Sequence, residues 1–140
     1  MKKHILIIDD EVLVVKTLRK LLSSEGYAVT VAQSGQEALE KVKCGEFNLI
    51  VCDMRMPQMD GVDTIKEIRE YLKKQGKPPV PEIFITGYAD EQKYKSAVEL
   101  KVADYIYKPF EREEFLEVVK KNLDPKDERR YDRLRAARRE

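Results

Sequence analysis

Short apolar runs and amphipathic stretches alternate along this chain. The apolar runs cover residues 5–8, 28–32, 49–52, 82–86 and 103–107. Several are rich in β-branched residues and most lack strict apolar–polar alternation, the pattern of strands covered on both faces. Between them the spacing turns helical. Val14, Val15, Leu18, Leu21 and Leu22 form a stripe between Asp10 and Ser24, with Gly26 as a stop. Ser34 and Glu37, three apart, form a capping box for a helix over 38–43. Val62, Ile65, Ile68, Arg69 and Leu72 recur at helical intervals over 61–74, ended by Gly76. Asp90 caps a predicted helix over 91–100, with Tyr94, Ala97 and Val98 as its buried face, and Phe115, Leu116, Val118, Val119 and Leu123 mark another over 111–123. Strand–helix pairs of this length call for a parallel sheet with right-handed crossovers and helices on both faces.

Two stretches fall outside this rhythm. Lys77-Pro78-Pro79-Val80-Pro81 is a stiff connector into the fourth strand. After Leu123 the chain starts acidic and becomes Arg-rich. Asp124 as cap, Pro125 at the first position and late arginines suit a helix, whose apolar stripe (Tyr131, Leu134, Ala137) is thin. With seven Lys or Arg against five Asp or Glu, residues 124–140 carry +2. A linker or dimer-forming helix is the expectation for this tail.

Composition narrows the picture. The 140 residues suffice for one domain with a proper core. Charged residues make up 38% but nearly cancel, at net +1, so no overall field selects nucleic acid or a membrane as partner. The apolar run behind Met1-Lys2-Lys3 ends at Asp9, too short for a signal core or a membrane span, and a cytoplasmic protein is expected. Cys44 and Cys52 are too few for a disulfide framework and are expected as reduced thiols, buried or half-buried. His4 is expected at the surface rather than as a ligand or base.

The chemistry collects at the strand ends. Asp9, Asp10 and Glu11 follow the first apolar run, Asp53 the third, Thr86 ends the fourth and Lys108 follows the fifth. In parallel α/β sheets, sites form just beyond the carboxyl ends of the strands. If the first and third strands are neighbours, Asp9, Asp10 and Asp53 converge, each close pair repelling by roughly 4 kcal/mol at an intermediate dielectric. Such a cluster persists only beside cations. Lys108 supplies one, and a hard divalent ion such as Mg²⁺ suits an all-oxygen donor set. The plainer reading is an acidic helix N-terminus complementing the dipole, with Asp53 unrelated.

The joint pattern is more specific. Asp9-Asp10, Asp53-x-x-Met56-Pro57-x-x-Asp60-Gly61, Thr86-Gly87 and Lys108-Pro109-Phe110, in this order over about residues 3–123, resemble the receiver domain of two-component response regulators. The resemblance implies an α/β flavodoxin-like fold, a five-stranded parallel sheet of order 2-1-3-4-5, with a receiver domain over 1–123 and a charged tail over 124–140. It implies Asp53 as phosphoacceptor for a histidine kinase or phosphotransfer domain. Asp9, Asp10, Asp53 and the Arg55 backbone carbonyl would hold Mg²⁺ or Mn²⁺. Lys108 would pair with Asp53 and then with the phosphoryl group, and Thr86 would donate its hydroxyl to it. Tyr105 matches the family's switch aromatic, its ring following Thr86 to remodel the face of the fourth helix, fifth strand and fifth helix. Such a domain is a switch that assists its own phosphorylation and dephosphorylation rather than an enzyme.

Gly87 leaves room at the phosphoryl pocket. Arg55 and Tyr88, two after Asp53 and Thr86, are expected to overhang it and slow self-dephosphorylation, with a solvent-facing Arg55 as an equal option. Val12 and Leu13, apolar beyond the helix stripe, suggest a docking patch for the kinase side, or local burial against a neighbouring loop. A phosphorylation-dependent homodimer or a downstream protein is the expected output partner, with no direct nucleic-acid contact. The alternative is a pseudo-receiver, the same fold used as a phosphorylation-independent interaction module. A flavin-binding protein or hydrolase fares worse, lacking the phosphate loop after the first strand or a second Asp after Asp53. With about seventeen residues after the receiver, the chain is expected to be a stand-alone receiver or one cut within its linker helix.

Overall fold

The computed structural model describes residues 2–87, 95 and 98–123. Its elements are β1 (His4–Ile8), α1 (Val12–Ser24), β2 (Ala28–Ala32), α2 (Gly35–Cys44), β3 (Leu49–Asp53), α3 (Gly61–Lys74), β4 (Glu82–Thr86), β5 (Asp104–Tyr107) and α4 (Arg112–Leu123). The strands form one parallel sheet of order β2-β1-β3-β4-β5.

Strand parity explains the unbroken apolar runs. Leu6, Ile8, Ile50, Cys52 and Phe84 point to one face, where Ala38 and Val42 of α2 and Val62, Ile65 and Ile68 of α3 cover them. Ile5, Ile7, Leu49, Val51, Ile83 and Ile85 point to the other, under Leu18 and Leu22 of α1 and Phe115 and Val119 of α4. Successive side chains alternate between two covered faces, so the interior positions of a central strand are apolar. β3 and β4 are buried throughout, whereas the edge strands β2 and β5 are mostly half-buried.

Helix ends follow local chemistry. The Ser34 hydroxyl accepts from Glu37 N, and the Glu37 carboxylate accepts from Gln33 N, one residue outside the usual box. Asp60 caps α3 by accepting from Asp63 N at 2.9 Å. Gly26 and Gly76, which follow α1 and α3, take φ of +90° and +66°, which side chains with a Cβ resist.

Several expectations need correction. Val98, placed on a buried helix face, is 48% exposed. Asp90, Tyr94 and Ala97, with most of that predicted helix, lie outside the described residues, as does the tail over 124–140. Cys44 is exposed at the end of α2, while Cys52 is buried. His4 is half-buried: its Nε2 lies 2.6 Å from Thr30 Oγ1 and its ring rests on Phe47, a packing role. Arg69, counted in the α3 stripe, reaches Glu82 in an ion pair. Val12 and Leu13 are 51% and 80% exposed, so a neighbouring loop does not bury them. Among the described residues no helix is long and apolar enough to cross a membrane.

Candidate functional site

Sheet register brings the strand-end residues to one level. Ile8 pairs with Cys52, so Asp9 and Asp53 are the next residues along neighbouring strands. Asp53 pairs with Ile85, and Thr86 pairs with Tyr107, which puts Thr86 and Lys108 one step further on. Backbone bonds extend the ladder past the strand ends: Asp9 N donates to Ala32 O, Met54 N to Ile85 O and Lys108 N to Thr86 O. The acidic cluster is therefore more than a helix terminus with an unrelated Asp53. Carboxylate oxygens of Asp9, Asp10 and Asp53 lie within 4.8 Å of one another.

The helix that follows helps to hold the acceptor. Gly61 N donates to Met54 O at 2.9 Å. A Cβ on Gly61 would press into the Asp53 carbonyl oxygen and stand 2.8 Å from Met54 Cα. Any side chain there would displace either α3 or the peptide that carries Asp53. The Asp60-Gly61 pair thus caps the helix and lets it approach the acceptor.

Burial sets the electrostatics. Asp9 and Asp53 are 1% and 4% exposed, and Asp10 is partly exposed. Desolvation, and then the charge of Asp9, raises the Asp53 pKa to about 7, against the opposing pull of Lys108 and the Arg55 backbone N–H. Burial likewise raises Asp9, although one of its oxygens accepts from Glu11 N at 2.9 Å. Burial works to lower Lys108, but Asp53, Asp9 and Glu11 outweigh it and raise its pKa. Lys108 Nζ stands 3.6 Å from Asp53 Oδ1 and 3.6 Å from Glu11 Oε1. Burial, then Asp53, pushes the Cys52 thiol well above its ordinary range, which keeps it an inert neighbour.

The donor set fits a hard divalent cation. All three carboxylates offer oxygen, and Asp9 Oδ2 is buried with no hydrogen-bond partner. A buried acceptor without a donor is costly, and a hard cation held by these oxygens would offset that cost.

The remaining candidates take varied positions. Thr86 is buried, its hydroxyl donating to Gly87 O at 3.3 Å and to Met54 Sδ at 3.6 Å. Gly87 is half-buried beside it. Tyr105 is half-buried, its ring stacked on Phe84 at 6.3 Å and packed against the core on the α2–α3 side of the sheet. Arg55 is exposed, and Tyr88 lies outside the described residues. The contact between Glu11 and Lys108 was missed from sequence. Only its place directly after the acidic pair hinted at it, and the contact joins segments that follow β1 and β5, two strands that are not neighbours in the sheet.

The profile of the response regulator receiver domain matches residues 5–120. The transcriptional regulatory protein ZraR of Escherichia coli strain K12 is 34% identical over 119 residues, covering 85% of this chain and 26% of that protein. CrdR of Helicobacter pylori, a transcriptional regulatory protein, is 33% identical over 128 residues, 89% of this chain and 58% of its own length. The chain thus spans about a quarter of the first of these relatives and less than two thirds of the second. Among solved structures, a CheY-like response regulator receiver domain protein from Methanospirillum hungatei JF-1 superposes with a TM-score of 0.82 at 29% identity, covering 92% of this chain and 99% of that one. The chemotaxis protein CheY4 of Vibrio cholerae gives 0.79 at 25%, covering 88% and 100%.

Proposed function

The chain belongs to the response regulator receiver domain family of two-component systems, and from that membership we propose that Asp53 is its phosphoacceptor. The observation that carries this reading is a buried Asp53 with Asp9, Asp10 and Lys108 gathered round it at one end of the sheet. In the proposed step an Asp53 oxygen attacks the phosphorus of a phosphohistidine on a histidine kinase or phosphotransfer domain. The new O–P bond forms as the N–P bond breaks, and the imidazole leaves. Held by Asp9, Asp10, Asp53 and the Arg55 backbone carbonyl, Mg²⁺ or Mn²⁺ would keep Asp53 ionised and offset charge on the phosphoryl group. Lys108 sits as a compact point charge beside the acceptor and follows the charge onto the phosphoryl oxygens.

Thr86 and Tyr105 carry the signal outward. For its hydroxyl to reach a phosphoryl oxygen, Thr86 turns away from Gly87 O, and Tyr105 takes up the space beside Phe84 and Thr86. This remodels the face around β5, which addresses a downstream protein or a second copy of the chain. Moving such a switch from 1:99 to 99:1 takes about 5.5 kcal/mol, within reach of a few charge-assisted hydrogen bonds. The exposed Val12 and Leu13 beside the site serve as the docking patch for the phosphodonor protein. The receiver unit is taken as 1–123, with 124–140 as its charged tail. The pseudo-receiver reading has no observation in its favour, because Asp9, Asp10, Asp53, Thr86 and Lys108 are all present.

Intact-mass measurement after incubation with acetyl phosphate and Mg²⁺ tests the reading. One phosphoryl group is expected on the wild type and none on Asp53→Asn. An unmodified wild type, or equal modification of the variant, removes Asp53 as the acceptor. Arg55 and Tyr88, two residues after Asp53 and Thr86 in sequence, are expected to hinder in-line water, so the phosphorylated protein decays slowly. A decay complete within seconds, followed by loss of the mass shift after donor removal, would count against that role.

A further inference from the structure

Among the described residues, Lys108 pairs with two carboxylates, and only one of them is the acceptor. Its Nζ lies 3.6 Å from both Asp53 Oδ1 and Glu11 Oε1. Glu11 occupies the N-cap position of α1, where a side chain ordinarily accepts a bond from the first turn. Ser34 and Asp60 do this for α2 and α3, but the Glu11 side chain makes no cap bond. It reaches instead across the site to the residue that follows β5. Its backbone is fixed independently: Glu11 N donates to Asp9 Oδ1 at 2.9 Å, and Glu11 O accepts from Val15 N at 3.0 Å. The site thus anchors the base of a side chain whose tip pairs with its own cation.

We infer that Glu11 is a positioning residue that shares Lys108 with Asp53 in the resting protein and thereby slows phosphoryl transfer to Asp53. The inference rests on the phosphoacceptor reading. Lys108 helps the transfer most when its ammonium is centred on the charge growing at the phosphoryl oxygens. Every increment of that shift stretches the contact with Glu11. The Glu11 side chain is 60% exposed, so solvent weakens its hold to that of a surface ion pair. The effect is therefore a modest brake on the rate, not a gate.

The experiment compares phosphorylation rates of wild type, E11Q and E11D at saturating Mg²⁺, with acetyl phosphate and with the less charged phosphoramidate. E11Q keeps the shape and removes the charge. E11D keeps the charge on a stem one methylene too short to reach Lys108. Both variants are expected to react faster by about two- to fivefold. The factor should be the same with either donor and should shrink at high salt, which screens the pair. An E11Q rate equal to or below that of wild type overturns the inference. So does an E11D that matches wild type, or a gain seen only with acetyl phosphate, since both indicate repulsion of the donor and not a hold on Lys108. A wild type that takes no phosphoryl group from either donor overturns the acceptor reading itself, and this inference with it.

Discussion

At pH 8 and without divalent metal, Asp53→Asn is expected to unfold at higher urea concentration than the wild type. The reason lies in the pKa of Asp53, raised from 3.8 to about 7 by burial and by Asp9. A carboxyl group with a raised folded-state pKa binds its proton more tightly when folded, so wild-type stability falls as pH rises from about 4 to about 7 and is flat above. Scaled at 1.36 kcal/mol per pKa unit, the rise from 3.8 to about 7 corresponds to a loss on the order of 4 kcal/mol, an upper figure because Asp53 and Asp9 titrate together. Asparagine has the same shape and carries no charge, so it escapes this loss, and the pull of Lys108 is already contained in the value of about 7. The expected gain is therefore up to about 4 kcal/mol at pH 8 and less than about 1 kcal/mol at pH 4, where the folded carboxyl is protonated and the unfolded one about half so. Adding Mg²⁺ should stabilise the wild type more than the variant and narrow the gap. Urea titrations at pH 4, 6 and 8, with and without Mg²⁺, read this directly. A gap that does not change with pH would mean that Asp53 is not the strained group.

Arg69→Met is expected to destabilise the fold by about 3 kcal/mol, a typical cost of leaving a buried charge without its partner. Arg69 donates from Nε and Nη2 to the two Glu82 oxygens, both at 2.9 Å, and from Nη1 to Leu100 O at 2.6 Å. The Glu82 side chain is 2% exposed. This fork joins α3 to the start of β4 and to the segment leading into β5, where Ala103 N also donates to Glu82 O. Replacing both residues, as in Arg69→Met with Glu82→Leu, removes the charge together with its partner and should cost less than Arg69→Met alone. Denaturation midpoints of the two single variants and the double variant give the coupling. Additive losses would mean that the fork contributes nothing as a pair.

Much of the fold could be read locally. The bounds of β2, α3 and β4 match the expected ranges to the residue, because period, caps and glycine stops lie within a few positions of each other. The alternation of covered faces along β1, β3 and β4 follows from the same unbroken runs. Val98 fails for a physical reason: spacing shows that a residue sits on a stripe, not whether another element packs over that stripe. Arg69 fails for the converse reason. Its helical interval was right, but a Glu at the start of β4 turned an apolar seat into an ionic one, thirteen residues away in sequence.

The site divides along the same line. Sequence alone determined which residues stand at the strand ends, since an apolar run that stops at Asp9, Asp53, Thr86 or beside Lys108 is a local fact. It also determined the family, through the order and spacing of those four motifs. Tertiary structure decided the rest: the register that levels Asp9 with Asp53, the burial that lifts Asp53 to about 7, and the sharing of Lys108 between Asp53 and Glu11. Desolvation and charge pairing are sums over neighbours from distant parts of the chain. Those neighbours are set only when the sheet closes and the loop after β5 comes to rest beside Glu11.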